Sequence, residues 1–367
     1  HPVQMRLTLK SISNDKRLSL PRVISFIAIV FSVFELWANS FAKIPGIERN
    51  AIFLLFVMVL SFLSYPFLKK RKKGRIDLVT SIILAVLGVA VCLYVVFFQS
   101  DLHLNRGSIP KQYEYILAAI AVILVLEATR RSIGLIIPVI GVLFILYAVL
   151  GRYLPGNLAH RGIPLTRVLY RMYFTYEGLF GTPITVASTY IFLFILFGSF
   201  LNACGVGKFF SELAMSMAGK RRGGPAHVAV ISSGIMGTIN GSAAANVATT
   251  GTITIPLMKE IGFTPHMAGA IEAAASTGGM IMPPIMGAAA FLMASFLEVP
   301  YITIIKAAIV PAILYYLAIF FVVIWESNKL QLTVPDKKQQ EEIIPLGRLL
   351  LTKGQLLLPI VVITALL

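Results

Sequence analysis

Residues 240–251 read "NGSAAANVATTG" and residues 276–284 read "STGGMIMPP", and both interrupt apolar runs. In the first, Ser242, Asn246, Thr249 and Thr250 supply side-chain oxygens, while the alanines let backbones approach closely. In the second, Gly278-Gly279 lowers helix propensity and Pro283-Pro284 removes amide donors, so a continuous helix is implausible there. Oxygen-rich turns and freed helix-end carbonyls suit a hard cation such as sodium. Amides at a helix N-terminus suit an anion. Irregular backbone at membrane depth is tolerated only where it lines a protein-enclosed or watery cavity. The four-residue spacing of Gly237, Gly241 and Ala245 also fits a plain helix-packing seam. The break at 276–284 tips the balance toward a binding-site turn.

The elements that must hold these segments are transmembrane helices. The chain is 57% hydrophobic and 13% charged, against roughly 25% charged in a soluble domain. Apolar runs long enough to span a bilayer occur at 23–42, 51–68, 77–98, 113–128, 133–150, 183–204 and 304–325. Backbone groups in hydrocarbon must pair within their own segment, and no barrel-like alternation is present. The fold class is therefore all-α, a polytopic transmembrane helix bundle.

Lys and Arg number 17 in the N-terminal tail and the connectors on its side, which include "KKRKKGR" (69–75), against 8 in the alternate connectors. That imbalance predicts a cytoplasmic N-terminus. It also accounts for the net charge of +16 without a nucleic-acid partner. Residues 164–180, with Arg167 and Arg171, read as an amphipathic helix lying at the outer interface. The run 225–258 is too long for one span, yet each arm beside the polar stretch reaches only about 20–24 Å at ~1.5 Å per residue. A re-entrant hairpin follows, returning Lys259 to the side of "KRR" (220–222). Segments 265–276 and 285–297 read as two half-helices of one broken span.

The domain reading is 1–131 as a four-helix membrane region and 132–222 as spans plus the interfacial helix. Residues 223–330 hold the hairpin, the broken helix and a return span. A cytoplasmic linker covers 331–354, and 355–367 begins a further span. The first 22 residues are too polar for a signal peptide. The chain starts with His and stops inside an apolar run, and it reads as cut at both ends.

Single ionisable residues say less. Glu272, two turns inside the inferred membrane boundary, suits a sodium sensor, a proton carrier or a structural cap partner. Glu35 reads as an interfacial or inter-subunit contact, and His227 as a satisfied hairpin histidine. Cys92 and Cys204 form no metal or disulfide motif. HExxH, GxSxG and Walker signatures are absent, which leaves enzyme readings unsupported and makes an ion gradient the energy source for any transport.

"RRGGPAHVAVISSGIMGTINGSAAANVATTGTITIPLMKEIGFTP" followed by "EAAASTGGMIMPPIMGAAAFLM" resembles the large membrane subunit of TRAP (tripartite ATP-independent periplasmic) transporters. The resemblance runs from about 130 to 367 and is strongest at 221–297. "LEATRRSIG" and "LPGNLAHRG" look like the fused form, in which a small four-helix subunit precedes the large one. It implies an elevator-type carrier in the bacterial inner membrane that imports an organic anion, usually a carboxylate, with sodium and without any other cofactor. The anion would be delivered by a periplasmic substrate-binding protein. By motif match, Asn240, Gly241, Ser242, Asn246, Thr250, Ser276 and Thr277 would hold sodium. Ser242, Ala243, Asn246, Gly278, Gly279 and Pro283 would line the substrate site. A carrier of the same superfamily that works without a binding protein is the alternative. The family has a second, inverted half, and only the first is present here, so the chain reads as truncated before that repeat and unable to transport by itself. No arginine lies between Arg222 and Arg348, so a cation for a substrate carboxylate is expected from elsewhere.

Overall fold

A computed structural model describes residues 19–67, 75–105, 109–220, 222–332, 343–359 and 361–362. The N-terminal tail, the basic loop at 69–74, much of the 331–354 linker and most of the last apolar run lie outside the described residues. The described residues form helices and loops with no strand. Among the described residues, seven helices are long and apolar enough to cross a membrane, as the hydropathy pattern predicts. The chain divides into two compact units, residues 1–189 and 190–367.

The first unit contains α1 (Ser19–Ser40), α2 (Gly46–Ser64), α3 (Arg75–Leu104), α4 (Gln112–Ser132), α5 (Ile136–Leu150), α6 (Leu165–Phe174) and α7 (Thr182–Val186). Its core joins Met58, Phe62, Cys92, Val95, Leu124, Tyr173 and Phe174. The helix α5 buries only Pro138 and leaves residues such as Ile136 and Phe144 exposed. A helix apolar on every side is at home against lipid. In α6, Arg167 and Arg171 are exposed on one side and Val168, Tyr173 and Phe174 are buried on the other. This matches the amphipathic helix read from 164–180, with turns from Thr175 onward. Arg131 is buried, its Nε donating to Glu127 and its Nη1 to Ser81 and the carbonyls of Phe62 and Tyr65. Glu35, read from the sequence as an interfacial or inter-subunit contact, is buried and takes a hydrogen bond from Asn39.

A π-helical stretch, Ala187–Ile191, connects α7 to α8 (Phe192–Ala203). The second unit continues with α9 (Val206–Ala218), α10 (Gly224–Asn240), α11 (Ala243–Glu260), α12 (Pro265–Gly278), α13 (Ala288–Phe296), α14 (Tyr301–Lys329) and α15 (Leu346–Lys353). The helix α9 lies in the connector that follows the apolar run 183–204, which counts among the basic connectors on the N-terminal side. Its buried stripe of Phe209, Phe210, Ala214 and Ala218 has helical spacing that the basic residues around it disguise. Two helices with a turn at 241–242 replace any continuous 225–258 span. Pairing of α10 with α11, and of both with α12, gives the hairpin and the first half-helix one shared core: Ala226, Ala229, Met258, Ala268, Ile271 and Ala275. His227 is buried, with Nδ1 on the Gly223 carbonyl and its ring against Phe320.

Candidate functional site

Two glycines bring the interrupted segments together. A Cβ built on Gly237 in α10 would lie 2.4 Å from the Cα of Gly279, and one built on Gly279 would lie 2.4 Å from the Cα of Gly237. The C-terminal ends of α10 and α12 therefore meet backbone to backbone. At the turn, Gly241 takes φ +59, a left-handed conformation that glycine adopts without a Cβ penalty. Its amide closes onto the Gly237 carbonyl at 3.1 Å. The seam spacing of Gly237, Gly241 and Ala245 is thus broken at its middle member.

Ser242 is extended and caps the N-terminus of α11, its Oγ accepting from the Ala245 amide at 3.4 Å. Beyond α12, the chain turns through Met280, Ile281 and Met282, whose amides reach the carbonyls of Thr277, Gly278 and Gly279 at 3.1, 3.1 and 3.3 Å. The Pro283-Pro284 bond is cis, and Tyr301 Oη holds the segment by donating to the Pro284 carbonyl at 3.0 Å. At Gly287 the chain enters α13. A Cβ on Gly287 would meet the Gly241 carbonyl at 3.3 Å, and one on Gly241 would meet the Met286 carbonyl at 3.1 Å. The N-terminal ends of α11 and α13 are thereby neighbours, as are the C-terminal ends of α10 and α12.

This pairing has an electrostatic consequence. Aligned peptide dipoles leave roughly half a positive charge at a helix N-terminus and half a negative charge at its C-terminus. Two N-terminal ends at Ser242 and Gly287 favour an anion. Two C-terminal ends at Asn240 and Gly278 favour a cation. Tyr315 and Tyr316 of α14 donate to the carbonyls of Ala274 and Ala275 at 2.9 and 2.8 Å, which fixes the last turn of α12 in place.

The residues singled out from the sequence fall into two groups. Asn240, Gly241, Ser242, Ala243, Gly278, Gly279 and Pro283 lie at the turn and the break. Asn240 Oδ1 accepts from Asn202 Nδ2 at 3.2 Å. Ser242 and Thr277 are exposed; the Thr277 hydroxyl returns to the Ala273 carbonyl at 2.7 Å, as that of Thr249 does to Ala245 at 2.6 Å. Asn246, Thr250 and Ser276 are buried one to two turns deeper, around Glu272. Glu272 Oε1 lies 2.7 Å from Ser233 Oγ, 2.5 Å from Thr250 Oγ1 and 3.1 Å from Ser276 Oγ. Its Oε2 lies 2.5 Å from Thr254 Oγ1. Asn246 Nδ2 donates to the Ser233 carbonyl at 2.7 Å. The sequence reading did not single out Ser233 or Thr254. Thr254 carries a periodic signal, since Asn246, Thr250 and Thr254 share one face of α11 as Glu272 and Ser276 share one face of α12; Ser233, on α10, carries none.

Comparison with known proteins decides the family. Residues 120–367 match the family described as "Tripartite ATP-independent periplasmic transporter, DctM component". The chain belongs to that family. This DctM-family chain is 28% identical over 150 residues to a putative TRAP transporter large permease protein of Haemophilus influenzae, covering 41% of the chain and 35% of that relative. It is 27% identical over the same length, with the same coverage, to the 2,3-diketo-L-gulonate TRAP transporter large permease protein YiaN of Escherichia coli. It is 32% identical over 136 residues to the isethionate TRAP transporter permease protein DctMQ of Oleidesulfovibrio alaskensis, covering 37% of the chain and 21% of that relative. The matches thus span about a third or less of these relatives' lengths. The family is one of transporter permeases, not enzymes, and the seven apolar helices make this chain a multi-pass membrane protein.

Proposed function

We propose that the full-length protein is a secondary carrier that imports an organic anion, a carboxylate, down a sodium gradient. A periplasmic binding protein delivers the anion. The single observation that carries this is the pairing of helix ends by sign. The positive ends of α11 and α13 adjoin at Gly241 and Met286-Gly287, and the negative ends of α10 and α12 adjoin at Gly237 and Gly279. A carboxylate is drawn to Ser242, Ala243 and the break at Gly279–Pro283 by amides rather than by an arginine. Sodium is drawn to carbonyls and side-chain oxygens around Asn240, Gly241, Ser276 and Thr277. Because the two sites share the same backbone contacts, occupying one stiffens the other, which is the coupling a symporter needs. The excess of Lys and Arg in the connectors on the N-terminal side supports a cytoplasmic N-terminus and a place in a bacterial inner membrane. The likeness to a DctMQ permease and the apolar helices before residue 132 support a fused small subunit.

The test is uptake of labelled carboxylates into proteoliposomes containing the full-length protein, with an imposed sodium gradient, with and without the binding protein. Uptake that needs both supports the proposal. Uptake without the binding protein points to the self-sufficient carrier, and sodium-independent uptake overturns the coupling. Ser242→Leu changes an exposed tip residue and is expected to lower uptake at least roughly tenfold, or 1.4 kcal/mol. Loss of the N-cap should cost the protein only about 1 kcal/mol of stability, so that the variant still folds.

A further inference from the structure

The last turns of α14 meet the start of α10 at a small crevice of about 190 Å³, lined by Arg222, His227, Ile324, Ser327 and Asn328. Nothing in the proposed transport cycle uses it. We propose that this crevice binds an anionic phospholipid, with the phosphate on Arg222 and an acyl chain lying along α14.

The headgroup end is already built. Gly223 lets the two elements touch, since a Cβ there would lie 2.2 Å from Ser327 Oγ. Arg222 is exposed beside it and held by two bonds, Nε to the Leu332 carbonyl at 2.5 Å and Nη1 to Asn328 Oδ1 at 3.3 Å. Both acceptors are neutral, and among the described residues no carboxylate pairs with this guanidinium. A fixed, planar guanidinium with N–H groups to spare suits a phosphate. Asn328 turns its oxygen to Arg222, so its Nδ2 protons remain for a second phosphate oxygen. His227 walls the crevice, its Nδ1 on the Gly223 carbonyl and its ring against Phe320. The other charges at this end nearly cancel: Lys329 pairs with Glu326, and Lys259 is followed by Glu260, which leaves Lys220 and Arg222 in excess.

The second, independent observation lies along α14, one of the helices long enough to cross a membrane. Leu314, Leu317, Phe321 and Ile324 are all exposed. Their spacings of three and four residues place them on one stripe of the helix, which ends at Asn328 and the crevice. From Leu314 to Ile324 the stripe covers roughly 15 Å at ~1.5 Å per residue, half of a ~30 Å hydrocarbon core and so the depth of one leaflet. Trp325, exposed in the same turn as the crevice, is a residue type that marks the headgroup level. A free phosphate would gain nothing from this stripe, whereas basic pockets between membrane helices are where acidic headgroups bind. The bound lipid ties the first arm of the hairpin to α14.

Native mass spectrometry tests this without any uptake assay. The full-length protein is stripped of lipid in detergent and titrated with phosphatidylglycerol. That lipid should bind more tightly than phosphatidylcholine, and inorganic phosphate should not displace it. Arg222→Gln should weaken its binding about fivefold, the effect of one basic side chain at an acidic membrane surface. Asn328→Asp keeps the shape of an exposed side chain and sets a carboxylate against Nη1. It should weaken binding at least as much with Arg222 still in place. Lys306→Gln removes an exposed cation near the other end of α14 and should change nothing. Equal affinity for the two lipids, displacement by phosphate, or parental binding in Asn328→Asp would each overturn the proposal. An equal loss in Lys306→Gln would do so as well, by showing unspecific attraction. So would a full-length protein that takes up no lipid, because a further helix or a second copy would then cover the stripe.

Discussion

Gly237 and Gly279 leave no room between their backbones, so any side chain there must displace main chain rather than a flexible neighbour. Overpacking a close-packed site costs roughly 1–3 kcal/mol and more where nothing can yield. Gly237→Val and Gly279→Val are each expected to destabilise the protein by at least about 3 kcal/mol, read as a fall in thermal midpoint in detergent. Gly269 is the control. It lies inside α12 with nothing near its missing Cβ, so Gly269→Ala should hold or raise stability by about 0.5–1 kcal/mol. A loss at Gly269 comparable to that at Gly237 would mean that close approach is not what these glycines provide. Asn246 belongs to the same scale. Its amide reaches from α11 to the Ser233 carbonyl of α10, so Asn246→Leu would leave that carbonyl without its side-chain donor as well as alter the site.

At the scale of elements, α12 is held at both ends by groups outside its own ladder. Its N-terminus is capped by Thr264, whose Oγ1 accepts from the Met267 amide at 3.3 Å. Near its C-terminus the phenols of Tyr315 and Tyr316 take two carbonyls. Replacing an N-cap threonine by alanine typically costs about 1 kcal/mol, and Thr264→Ala should lower stability by that much while leaving the break untouched. Tyr316→Phe removes a buried hydroxyl that orients the last turn of α12. It should cost about 1 kcal/mol of stability and lower uptake more than Thr264→Ala does. Equal effects of the two on uptake would show that the phenol only stabilises the helix.

At the scale of the whole molecule, a carrier that binds sodium in its folded state must be stabilised by sodium. At a concentration 100-fold above the dissociation constant the gain is about 2.7 kcal/mol. Replacing sodium by potassium at constant ionic strength should therefore lower the thermal midpoint, and the carboxylate substrate should raise it further in sodium than in potassium. A midpoint indifferent to the choice of cation would sink sodium binding while leaving membership of the transporter family intact.

The sequence by itself determined the membrane class, the order and rough limits of the spans, the turn at 240–242 and the break at 276–284. These rest on local physics: runs of apolar residues must be helical in hydrocarbon, and paired glycines and prolines cannot continue a helix. It also carried the family motifs. Helix α9 was obscured because its apolar stripe is interleaved with a polar and basic connector. Only the tertiary structure decided which helix ends become neighbours, because the Gly237–Gly279 approach depends on packing between residues 42 positions apart. It likewise separated the turn residues from the buried cluster of Ser233, Thr250, Thr254, Glu272 and Ser276. Each of those is an ordinary polar residue within its own helix, and a carboxyl ringed by hydroxyls exists only once three helices share a core.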